Sequence, residues 1–216
     1  MVETERASLW AGIVSVVVTN AAIISATVAS PGFRWSGNAL SNLGQPGHAV
    51  ATPLTTLLFD GGLVLGGVVG VGFAYALWTT SGTVGKAAVP VFVAAMVAMA
   101  GIGVFPQSQP LHGPVAIGFY LLSMVAMALS GVGALVAGDR RYAGLTLALT
   151  ALHVGVWYGW SMGGSVFRAG LAIPEALGAA VVTVWVVLVA RTHRLPLRTQ
   201  TDQPTRSPAR SHDSER

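Results

Sequence analysis

Six long apolar runs, each bounded by proline, glycine or charge, account for most of this chain. They lie near residues 9–29, 53–78, 87–105, 115–136, 142–162 and 174–190. A helix needs about 20 apolar residues to cross the hydrocarbon core of a bilayer, and these runs are of that order. Their ends are marked by Pro31-Gly32, the Ser81-Gly82 turn with Lys86, Pro106, Asp139-Arg140-Arg141, Gly163-Gly164 and Arg191. Continuous apolar runs of this length are helices and exclude barrel strands. The pattern predicts an all-α polytopic transmembrane helix bundle of six spans within residues 1–198. From Thr199 onward Ser, Thr, Pro and charge dominate, which predicts a disordered tail over 199–216.

The first run raises the question of a cleaved signal peptide, because it follows Arg6 and ends in small residues near Ala29-Ser30. Its apolar stretch is longer than the usual signal core, two acids sit in its head and Pro31 follows the candidate cut, so a retained helix is expected. Lys and Arg set the orientation. Arg6, Lys86, Arg140, Arg141 and the six arginines after Ala190 fall on one side, and only Arg34 and Arg168 on the other. The basic side faces the cytoplasm. The expected location is the cell membrane, multi-pass, with both termini cytoplasmic. Arg191, Arg194 and Arg198 are placed to lie against anionic headgroups.

Within the runs, glycines recur every four residues as Gly62, Gly66, Gly70 and as Gly155, Gly159, Gly163. Each set occupies one helix face and permits close backbone approach. Packing inside one copy is the first expectation; a homo-oligomer seam is the other. Between the first two spans, Trp35, Ala39, Leu40 and Leu43 share a helical face, while Asn38, Ser41 and Asn42 line another. Ser36 is a candidate N-cap and Gly44 a candidate C-cap. That spacing predicts a short interfacial or re-entrant helix in the first outer loop.

Composition narrows the chemistry. Charged residues make up 9% of the 216, against about 25% in soluble domains, so lipid must cover much of the surface. There is no cysteine, which excludes disulfides, thiolate metal sites and cysteine nucleophiles. The net charge is +4, but six of the twelve Lys and Arg follow Ala190, so membrane orientation, and not nucleic acid, accounts for the basic balance. Asp60 lies about two turns into the second span, where a carboxylate costs about 2.5–3.5 kcal/mol unless solvated or paired. His112 falls in a stiff turn rich in proline and glycine. Glu175 suits the first turn of the sixth span. His153, midway along the fifth span, is expected to be neutral with one interhelical hydrogen bond, and Asn20 to be packing glue. Trp157, Tyr158 and Trp160 read as interfacial aromatics.

The stretch from Phe33 to Gly67, with Ser41-Asn42-Leu43-Gly44 and Phe59-Asp60-Gly61-Gly62, resembles the membrane-protein family called domain of unknown function 998. So does Gly101-Ile102-Gly103-Val104-Phe105-Pro106 with Leu111-His112-Gly113-Pro114. The resemblance implies a multi-span bundle of archaea and bacteria with no established activity. Members often carry Asp at the position of Asn42 and Asn at that of Asp60; this chain reverses the two. The exchange suggests a hydrogen-bonded Asn42–Asp60 pair.

The candidate polar outer-face site comprises Arg34, Asn38, Ser41, Asn42, Asp60, His112 and Glu175. The chain contains no H-x-x-x-H, H-E-x-x-H, G-x-S-x-G or Walker arrangement. The expected role is non-catalytic binding of a lipid or small ligand, without metal or cofactor. The alternatives are a membrane-embedded enzyme acting on a lipid-borne substrate, with Asp60, His112 and Glu175 as acid, base or ligands, or a small transporter using Asp60. Expected partners are membrane lipids and a small molecule or lipid ligand, with no nucleic acid.

Overall fold

The computed structural model describes residues 3–163 and 170–194, without the side chains of 193 and 194. The expected tail over 199–216, Arg168 and Arg198 lie outside the described residues. Among the described residues seven helices run in order: α1 (Glu3–Val28), α2 (Pro53–Val71), α3 (Phe73–Thr80), α4 (Ala88–Val104), α5 (His112–Val136), α6 (Arg140–Ser161) and α7 (Ala172–Arg194). Two 3-10 turns, Leu40–Gly44 and Gly85–Ala87, interrupt the connections. No strand occurs among the described residues.

Among the described residues five segments are long and apolar enough to cross a membrane: Glu3–Val28, Pro53–Thr80, Gly85–Val104, His112–Val136 and Ala172–Thr192. With 22 residues, α6 has the length. It dilutes its apolar residues with Arg140, Arg141, Thr146, Thr150 and His153, and falls outside that set.

Local chemistry fixes the helix ends. Pro53 occupies the first turn of α2, and the Thr52 side chain accepts from the Thr55 amide at 3.1 Å. Gly138, at φ +89°, turns the chain out of α5, and Asp139 Oδ1 then caps α6 by accepting from the Tyr142 amide at 3.0 Å.

The second span is a kinked rod whose break between α2 and α3 has an identifiable cause. Ser8 Oγ donates to the Gly72 carbonyl at 2.5 Å and accepts from the Ala76 amide at 2.7 Å. It stands across the pair that an unbroken helix would close directly, which is a recognised origin of kinks. The turn also delivers Phe73 against Gly12 of α1, where an added Cβ would run into the ring.

Sequence neighbours pack side by side: α1 on α2, α2 on α4, α4 on α5, α5 on α6 and α6 on α7. Contact between α7 and α1 closes the ring. Asn20 clasps that last seam, donating to Thr183 Oγ1 at 2.9 Å and to its own Val16 carbonyl. The ladder Gly62, Gly66, Gly70 faces α1. Added Cβ atoms there would run into Ala22, Thr19 and Ser15 respectively. Gly67, on the adjoining face, meets the α4 backbone at Met96 and Ala100. The second ladder differs: Gly155 and Gly163 have no atom within 4 Å of an added Cβ.

The interior is layered along the bundle axis. Phe73, Phe92 and Trp185 stack edge-to-face at centroid separations of 5.6 and 5.8 Å and fill one end. The Leu40–Gly44 turn covers the other, referred to below as the roofed end. This turn corrects the helix expected from Ser36. Ser36 is exposed and caps nothing, and the helical part is a single 3-10 turn whose five residues are all buried. Trp35, packed edge-on against Phe33, stays exposed.

Candidate functional site

The roof is built around Asn42. Its Oδ1 accepts from the Ala39 amide at 2.8 Å and from Asn38 Nδ2 at 3.4 Å, while its Nδ2 donates to Gln107 Oε1 at 2.7 Å. The first bond closes the 3-10 turn; the last ties it to the connection between α4 and α5. Thr55, at the start of α2, donates to the Leu43 carbonyl at 3.1 Å. On the α7 side, the Ala172 amide donates to the Asn38 carbonyl at 2.9 Å. Gly170 allows this approach, since a Cβ there would stand 2.6 Å from that same carbonyl oxygen. The buried turn and the residues leading into it are thereby hydrogen-bonded to three other parts of the chain.

Glu175 provides the fourth tie. It lies in the first turn of α7, yet its carboxylate reaches across the bundle, and Oε2 accepts from the Leu40 amide at 2.6 Å. Its carbonyl accepts from the Tyr120 hydroxyl at 3.1 Å. Both carboxylates expected at the site are half-buried.

Beneath the roof is a cavity of about 40 Å³ whose wall includes Leu40, Ser41, Phe59, His112, Phe119 and Glu175. His112 is not on a turn, as expected, but opens α5 and is buried. Its Nδ1 lies 2.8 Å from the Phe105 carbonyl. A carbonyl only accepts, so Nδ1 carries a proton, and in the neutral ring Nε2 presents a lone pair. The buried Ser41 hydroxyl and Glu175 Oε1 make no hydrogen bond among the described residues. Ser41, His112 and Glu175 therefore line one cavity.

The other two candidates stand apart. The Arg34 side chain is exposed, and only its amide joins the roof, donating to Asn38 Oδ1 at 2.8 Å. Asp60 flanks the cavity from α2, with Oδ1 packed where a Cβ on Gly44 would sit. No hydrogen bond or ion pair engages its carboxylate among the described residues. The expected Asn42–Asp60 bond is not formed, because the Asn42 amide is committed to Ala39, Asn38 and Gln107. Gln107 is the partner that sequence reading misses; its signal is an amide side chain, one of two glutamines in a short proline-bounded connection.

His153 also departs from expectation. Neither ring nitrogen has a hydrogen-bond partner among the described residues. The ring sits edge-on to Tyr120 at 6.0 Å and against Gly178. Trp157, read as interfacial, turns inward to lie 4.5 Å from Tyr120, with Nε1 buried and unpartnered. No group of three or more His, Asp or Glu able to hold a metal ion occurs among the described residues.

Among known proteins, a family model described as a protein of unknown function (DUF998) matches residues 13–192. No curated protein and no solved structure matches the chain.

Proposed function

The chain belongs to the DUF998 family of proteins of unknown function, and we propose that it is a six-span cell-membrane protein that binds, without converting, a small polar ligand or lipid headgroup at its outer end. The convergence of Ser41, His112 and Glu175 on one roofed cavity carries this reading. In favour of α6 as the sixth span is its place in the ring between α5 and α7. In favour of an outward-facing roof is the arrangement of charge: Arg6, Lys86, Arg140, Arg141 and Arg191 all belong to the opposite ends of the helices. The exposed Trp35 then lies at headgroup level.

Binding is favoured over catalysis because no hydrogen bond joins Ser41 to His112, whereas an activated nucleophile needs its base within reach. The unpaired Asp60 carboxylate supports a second reading, a cation site of a small transporter. Reporter fusions after Ala190 and within residues 44–52 test the topology; an exported C-terminal reporter would refute it. Native mass spectrometry of the purified protein tests binding. A retained species should disappear when Ser41→Leu fills the cavity, and identical spectra from both proteins would count against a ligand there.

A further inference from the structure

We infer that the cavity beneath the Leu40–Gly44 turn recognises a primary ammonium group. The inference rests on the binding reading above and names the ligand class. Its basis is an imbalance of donors and acceptors. Apart from the hydroxyls of Ser41 and Thr19, which can donate or accept, the donors around the cavity are already committed: Leu40 N–H to Glu175 Oε2, His112 Nδ1–H to the Phe105 carbonyl, and Tyr120 O–H to the Glu175 carbonyl. The acceptors are not. His112 Nε2, Glu175 Oε1 and Ser41 Oγ have no partner among the described residues, and all three side chains line the same wall.

A primary ammonium brings three N–H donors and no acceptor, which matches this set. An anion would find only the neutral hydroxyls of Ser41 and Thr19 to donate to it, beside the Glu175 carboxylate. A metal ion would find a single imidazole and a single carboxylate, fewer protein ligands than a closed metal site provides. No Lys or Arg lines the wall to compete for the carboxylate. The rings of Phe59, Phe119 and Tyr120 stand around the same space and present π faces or edges to an occupant; faces attract cations. Size adds a limit. A volume of about 40 Å³ equals roughly three water-probe spheres at 10–15 Å³ each. That admits the –NH₃⁺ end of a molecule and excludes a quaternary ammonium unless the walls move. The chemistry is common to a free alkylamine and to the ethanolamine terminus of a lipid headgroup.

The test is thermal unfolding of the full-length protein in phosphatidylglycerol nanodiscs, titrated with methylammonium chloride. Sodium and tetramethylammonium chloride serve as controls. Methylammonium should raise Tm saturably and the controls should not. Glu175→Gln keeps an oxygen for the Leu40 amide, and His112→Asn keeps an N–H for the Phe105 carbonyl. Each should leave the amine-free Tm near wild type and weaken the methylammonium midpoint about tenfold or more, as expected for one lost charge-assisted bond. Ser41→Ala should weaken it by a smaller factor and provides the test should either of the others fail to fold. In phosphatidylethanolamine nanodiscs, a higher starting Tm with no further response identifies the lipid headgroup as the source; an unchanged response identifies a free amine. Equal shifts with sodium or tetramethylammonium, or a midpoint unaffected by all three substitutions, would overturn the inference. If native mass spectrometry still showed a species displaced by Ser41→Leu, the ammonium assignment alone would fall and the binding reading would stand.

Discussion

Replacing Gly67 and Gly155 by alanine should shift stability in opposite directions, although each is a small residue inside a long apolar helix. At Gly67 the new Cβ would lie 2.6 Å from the Met96 carbonyl oxygen and 2.8 Å from both the Cβ and the amide nitrogen of Ala100. Two of these are backbone atoms of α4, which no rotamer change can move. Relief requires α2 and α4 to separate locally by several tenths of an ångström at a contact central to the ring. Overpacking of this kind costs about 1–3 kcal/mol, and fixed backbone puts Gly67→Ala toward the upper end. The opposing gain in helix propensity is about 1 kcal/mol, leaving a net loss of about 1–2 kcal/mol. At Gly155 no atom lies within 4 Å of the added Cβ, so only the gain of up to about 1 kcal/mol remains. Melting curves of both variants in one detergent, followed by size-exclusion chromatography of the heated samples, would measure the sign. A Gly67→Ala protein melting at or above wild type would refute the reasoning, because it would mean that α2 and α4 do not approach as described.

Three further outcomes are expected. Asn42→Asp, Asp60→Asn and their combination should be additive in a thermal double-mutant cycle, since no bond joins the two side chains; a coupling above about 0.5 kcal/mol would contradict this. Gly44→Val should destabilise by about 1–3 kcal/mol, because even its Cβ would run into Asp60 Oδ1, and an unchanged melting point would show that Asp60 swings freely. If the open face of α6 around Gly155 seats a second copy, Gly155→Leu should reduce the crosslinked dimer while leaving monomer melting intact; equal crosslinking would remove that surface from consideration.

The helices were legible because lipid exposure leaves a one-dimensional record: an apolar run of span length can hardly be anything else. The face of the Gly62, Gly66, Gly70 ladder was legible too, since spacing alone places those residues together. What escaped notice depends on residues far apart in the chain. Asn42 selects Gln107 over Asp60 because the connection between α4 and α5 folds across the roof. Glu175 has a sufficient local explanation in the dipole of α7, and nothing local reveals that it reaches Leu40. His153 would take one hydrogen bond on general grounds, but Tyr120 and Gly178 approach it with an aromatic edge and a bare backbone. The kink beside Gly72 has no local signature, because its cause, Ser8, lies 64 residues earlier.

That distant serine also bears on how the protein assembles as it enters the bilayer. Until α1 lies alongside, the Gly72 carbonyl and Ala76 amide have only each other, so the second span would insert as a straighter rod with an uninterrupted ladder. Docking of α1 exchanges that internal bond for two bonds to Ser8 and turns Phe73 into the notch at Gly12. The bend is then a product of pairing between the first two spans, and the aromatic stack that closes the far end of the bundle must await it. A nascent chain severed near Ala29 would leave its second span unbent, its glycine ladder bare to lipid, and no seat for the ring that the remaining helices are shaped to receive.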